Sequence, residues 1–93
     1  MIKYVKLTTL DELISEVKEV EDGYQFIWPM RVYVTRDEEG EMRNQVSPYV
    51  PHVKTHTVTI SKDKIVFIAD PIPSLLEYYE NNVKAMLPPE SVE

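Results

Sequence analysis

Alternation is clearest between residues 24 and 34. Tyr24, Phe26, Trp28, Met30, Val32 and Val34 occupy every second position, while Gln25, Arg31 and Thr35 lie on the other parity. A period of two puts one side-chain set on one face of a strand, so a long half-buried strand is predicted with Tyr24, Phe26 and Trp28 facing a core. Pro29 falls on the outward parity. It has no N–H, so it predicts an edge, a bend or a bulge there. Residues 55–60, Thr-His-Thr-Val-Thr-Ile, read as a second, β-branched strand, and 61–64 turn the chain. Ile65-Val66-Phe67-Ile68-Ala69 is uninterrupted apolar sequence, the pattern of a strand covered on both faces. Pro48 and Pro51 restrict any strand over 43–53 to a short or edge one. Gly23 and Gly40 each follow acidic residues and mark a turn at 22–23 and a loop over 36–42.

Helical spacing occurs twice. Ser74 and Glu77 fit a capping box, and Leu75 or Leu76, Tyr79, Val83, and Met86 or Leu87 recur at helical intervals. A C-terminal helix over about 74–86 is expected, stopped by Pro88. The tail over 88–93 is expected to fray, which leaves 1–87 as the folded domain. Residues 8–22 are ambiguous. Thr9 to Glu12 also fit a capping box, and Leu10, Leu13, Ile14 and Val17 sit at i, i+3, i+4 and i+7. Periodicity favours a helix ending at Gly23, and only a weaker alternation of Leu13, Ser15 and Val17 supports a strand. Pattern alone gives β-α-β-β-β-α.

The 93 residues suffice for one core and not for two. With 43% apolar residues the chain is too hydrophobic for wholesale disorder. The absence of cysteine removes disulfides, thiolate metal sites and cysteine nucleophiles, and it suits a reducing cytoplasm. No apolar run approaches the roughly 20 residues of a membrane helix. The opening residues, Met1 to Lys6, lack the apolar region and cleavage site of a signal peptide. Ten basic residues against sixteen acidic ones give a net charge of −6, a poor starting point for binding phosphates.

Candidate chemistry is sparse. His52 and His56 are four apart, but Pro51 and the β-branched run argue against the helix that would align them on a metal. No serine lies in a nucleophile signature. Two glycines cannot build a phosphate loop. The acidic runs over 11–22 and 37–41 lack calcium-loop spacing and read as solvated surface. Lys54, Lys62 and Lys64 are basic residues available for a small phosphate-contacting patch. No catalytic, cofactor-binding or metal-binding residue is assigned.

From Val5 to about Tyr79 the chain resembles the small Sm-like (LSm-like) proteins of marine cyanophages and related tailed phages. The matching pieces occur in order: Lys6-Leu7, Glu12-Leu13-Ile14-Ser15-Glu16-Val17, Pro29-Met30-Arg31-Val32 and Pro48-Tyr49-Val50-Pro51. They continue with the run from Val58 to Phe67, then Asp70-Pro71 and Tyr78-Tyr79. The resemblance implies an all-β fold with a C-terminal helix, a small bent antiparallel barrel of about five strands. It makes residues 12–20 a strand and places the preceding turn at Leu10, where the family commonly has glycine. It also implies a homo-oligomeric ring joined edge to edge, with 55–60 as one joining edge, no enzyme activity and no cofactor. Such a phage-encoded module would act in the host cytoplasm on single-stranded RNA, weakly, or on a protein partner. The Sm motifs are altered here: Arg31 stands where the family reads uracil with asparagine, and Ser61-Lys62 replace its Arg-Gly pair. Arg31, Lys62 and Lys64 are therefore the expected RNA contacts, without uridine preference.

Overall fold

Residues 12–20 are a strand. In the computed structural model, which describes residues 1–86, they form β2 (Glu12–Val20), between β1 (Ile2–Leu7) and β3 (Gly23–Arg36). The order continues with β4 (Met42–Pro48), β5 (Thr57–Ile60), a 3₁₀ turn (Lys62–Lys64), β6 (Ile65–Ala69) and α1 (Pro73–Met86). Leu87, Pro88 and the tail over 88–93 lie outside the described residues. The architecture is all-β with one C-terminal helix. It has six strands rather than five, and the sheet is not a closed barrel. Its antiparallel order is β4-β3-β2-β1-β6, with β5 pairing β3 off that path.

The helical periodicity of 8–22 has no helix behind it. Leu13, Ile14 and Ser15 are all fully buried, so the start of β2 is covered on both faces and loses its alternation. Thr9 donates to the Asp11 carboxylate (2.8 Å) and caps nothing helical. Leu10 takes φ 77 in the β1–β2 turn, the left-handed region that favours glycine.

The long strand β3 changes phase in its middle. Glu16 pairs Ile27, and Ile14 pairs Met30, so Trp28 and Pro29 together oppose the single residue Ser15. That is a β-bulge with one inserted residue. A one-residue slip sends the same parity to the opposite face. Tyr24 and Phe26 therefore join Val5, Leu7 and Leu13 in one core, while Trp28, Met30 and Val32 join Ile14 and Tyr79 in another. The single inward stripe expected from alternation is thus divided. Pro29, expected outside, is buried, and Trp28, expected in the core, is partly exposed. The neighbouring strand breaks at the same place. β4 ends at Pro48 opposite Met30, and β5 begins at Thr57 opposite Ile27. The excursion over 49–56 is tied to the bulge at both ends: Tyr49 N–H donates to the Pro29 carbonyl (2.9 Å), and Trp28 N–H donates to the His56 carbonyl (2.7 Å).

The sheet is strongly curled. A straight β2 would hold its flanking turns about 30 Å apart. Yet Ile60 lies against Gly23 at one end, and the Lys64 carbonyl accepts from Thr8 N–H (2.9 Å) at the other. The four links from Ile60 to Lys64 reach at most about 14 Å. β2 must bend to let them close, and Gly23 has no Cβ because the Ile60 carbonyl occupies that space. Curling brings Val58 and Ile60 of β5 and Ile65 and Ile68 of β6 onto the first core. The β6 run is not covered on both faces as its composition predicts: Val66 is 56% and Phe67 40% exposed.

The helix packs Leu75, Tyr79 and Val83 on the second core. Its first bond runs from Leu76 N–H to the Ile72 carbonyl (3.0 Å), so Ile72 is the cap and Pro73 the first helical residue. The expected Ser74–Glu77 capping box does not form.

Candidate functional site

Arg31 lies opposite Leu13 near the β1–β2 turn. Its guanidinium is 3.7 Å from the Asp11 carboxylate and 5.9 Å from the Tyr33 ring centre. The Tyr49 hydroxyl donates to the same carboxylate at 3.5 Å. Burial, then the charge of Asp11, pushes the Tyr49 phenol up.

Lys62 sits at the opposite end of β2. Its ammonium is 2.7 Å from Glu19 and 5.6 Å from the Tyr24 ring centre. The hydrogen bond between Lys62 and Glu19 raises the lysine and lowers the carboxyl. Lys64 lies 3.8 Å from Asp63. The three expected cations are therefore each paired with a carboxylate, and Arg31 and Lys62 belong to different ends of the sheet. A phosphate approaching any of them meets a carboxylate within 4 Å of the cation. Lys54 is exposed in the excursion.

The inserted Trp28 creates a second kind of surface. Its backbone holds φ 54, and its ring stacks on His56 with centroids 4.0 Å apart and planes 5° apart. His56 itself takes φ 50. The bulge carbonyls are satisfied from two sides. The Ser15 hydroxyl reaches the carbonyls of Glu16 (2.9 Å) and Ile27 (3.0 Å). The Tyr79 hydroxyl donates to the Trp28 carbonyl (2.9 Å), lies 3.3 Å from that of Ile27, and accepts from Glu16 N–H (3.3 Å). Burial pushes the Tyr79 phenol up to about 12.

Beside this clamp a groove of about 460 Å³ opens between α1 and the sheet. Ile2, Ile27, Trp28 and Val83 give it apolar walls, and Glu16, Glu77, Glu80 and Lys84 charge it. A second groove of about 410 Å³ lies between β4 and the start of α1, where Tyr78 donates to Gln45 (3.3 Å). Sequence reasoning missed the first groove because four elements, β1, β2, β3 and α1, contribute to it and no local spacing connects them. The only signal was Pro29, whose missing N–H announces an interruption beside Trp28.

His52 is exposed, and among the described residues no group of three His, Asp or Glu side chains is placed to hold a metal ion. The acidic loop over 37–41 has a structural use. Asp37 accepts from Glu41 N–H (2.9 Å) and Glu39 N–H (3.0 Å) and meets Arg43 at 3.1 Å. These bonds, Glu41's first, hold its carboxyl below the ordinary range. No helix among the described residues is long and apolar enough to cross a membrane. No protein-family model matches the chain, and no curated protein matches it.

Proposed function

We infer that the chain is an Sm-like binding module of phage origin that assembles edge to edge into a closed homo-oligomer in the host cytoplasm. The observation that carries this reading is the pair of open edges flanking the 3₁₀ turn. β5 bonds only to β3 and β6 only to β1 among the described residues. β6 leaves Val66 and Phe67 exposed beside its free edge. Unpaired strand edges with apolar side chains gain both hydrogen bonds and burial from another strand. A copy offering β5 to the next copy's β6 would satisfy both, and repetition of that contact closes a ring. No catalytic step and no cofactor belong to this reading.

Within it, binding a protein partner ranks ahead of binding RNA. The pairing of Arg31, Lys62 and Lys64 with carboxylates, on a chain of net charge −6, weakens any phosphate contact. One observation keeps RNA as the second reading: exposed Arg31 stands near exposed Tyr33, a cation beside an aromatic face on which a base could stack.

Sedimentation and labelled-RNA titration test both. A closed oligomer at micromolar concentration is expected, and a monomer there refutes the assembly. Oligo-U and oligo-A are expected to bind equally weakly at about 0.15 M salt, less so after Arg31→Ala or Lys62→Ala. Tight, uridine-selective binding would restore RNA as the principal ligand.

A further inference from the structure

In phase with Phe26, Trp28 would be sealed in the first core. The bulge instead turns it toward the α1 groove, at the cost of a left-handed backbone that a non-glycine residue adopts only under strain. Ser15, Tyr79 and His56 hold it there. Three separate elements thus fix one partly exposed aromatic ring at the wall of a groove whose other walls are Ile2, Ile27 and Val83.

The charge around that apolar floor is one-sided. Glu16, Glu77 and Glu80 are exposed and form no ion pair among the described residues, with Lys84 the one cation in the lining. Elsewhere Asp11, Glu19, Asp37, Asp63 and Asp70 each meet a lysine or arginine. Glu12, Glu21, Asp22, Glu38, Glu39 and Glu41 form no ion pair among the described residues either, so what distinguishes the groove is that its unpaired carboxylates border an apolar floor. Uncompensated carboxylates over an apolar floor attract cations and repel phosphates. The volume suits a few side chains and not a folded domain.

We propose that this groove docks a basic, apolar peptide segment of a partner protein, seating an aliphatic side chain against Trp28 and setting lysine or arginine against Glu16, Glu77 and Glu80. The groove is lined by β1, β2, β3 and α1, not by β5 or β6. The inference therefore stands apart from edge-to-edge assembly, and either can fail alone.

Trp28 is the only tryptophan, so its emission reports the groove directly. The probe is a synthetic peptide alternating arginine with leucine, titrated into the full-length protein at about 0.15 M salt. A saturable shift in Trp28 emission is expected, with no response to the same peptide carrying glutamate for arginine. The surface variant Glu77→Gln/Glu80→Gln, with its fold checked by circular dichroism, is expected to weaken binding about fivefold. An unchanged Trp28 spectrum refutes the proposal, as does equal binding of the acidic peptide. So does oligo-U shifting Trp28 emission more strongly in the double variant, which would make the groove a nucleic-acid site.

Discussion

Phe26 and Trp28 lie two residues apart on β3 and belong to different environments. Phe26 is sealed in the concave core that the curled sheet makes from its own strands. Trp28 sits on the convex side, where α1 covers only part of the sheet and a groove remains. The first region is built mainly by strands, with Tyr49 of the excursion packed against it. The second depends on Tyr79 reaching from the helix to three backbone groups of the bulge. One inserted residue therefore separates a sealed core from a partly open surface.

The largest test of that division is a pair of truncations. Phe26→Ala is expected to cost about 3–5 kcal/mol, because a fully buried ring leaves a cavity that the strands cannot refill. Trp28→Ala is expected to cost no more than about 2 kcal/mol, although tryptophan is larger, because its ring is partly exposed already. Urea unfolding of the two variants measures both. Equal losses would mean that Trp28 is a core residue and that the two faces are one.

Next is the helix clamp. Tyr79→Phe removes the hydroxyl that satisfies the bulge and is expected to cost about 1–3 kcal/mol at neutral pH. The same residue gives the stability an alkaline limit. A tyrosine titrates near 10 in an unfolded chain, and burial pushes Tyr79 up to about 12. The folded state holds the proton more tightly. Its contribution is therefore complete below about pH 10 and fades as pH rises toward 12. The Lys62–Glu19 pair loses stability in the same direction as the lysine deprotonates. Subtracting the Tyr79→Phe profile isolates the tyrosine. Parallel alkaline limbs in wild type and variant would show that the clamp does not carry this dependence.

Much of this molecule is written locally, and the parts that are not share a cause. Alternation identified β3 and gave the correct facing for Tyr24 and Phe26, but parity carries no information about where phase slips. Pro29 marked the slip without revealing that Trp28 was the inserted residue. Residues 12–20 look helical because Leu13 and Ile14 both need burial, one under the curled sheet and one under α1. Only tertiary packing on both faces explains two consecutive apolar residues in a strand. Val66 and Phe67 read as doubly covered, yet β6 is an edge whose outer surface has no neighbour among the described residues. Arg31 and Lys62 were legible as cations. Their partners Asp11 and Glu19 were not, since neither is adjacent in sequence.

The smallest test separates strain from purpose. Leu10 and Trp28 both hold positive φ, at 77 and 54. Leu10 is 74% exposed and belongs to neither core. Its backbone needs only the turn bond from its N–H to the Leu7 carbonyl (2.9 Å). Glycine adopts that φ without the Cβ penalty, which offsets the extra freedom it gives the unfolded chain. Leu10→Gly is therefore expected to stabilise the protein by about 0.5 kcal/mol. Trp28→Gly relieves the same kind of strain but removes the ring stacked on His56 and opens the groove wall, so it is expected to destabilise. Opposite signs in urea unfolding would show that the left-handed backbone at Trp28 is held for its side chain. If Trp28→Gly also stabilised, the strained conformation would have no compensating contact, and the groove would lose its reason for keeping tryptophan.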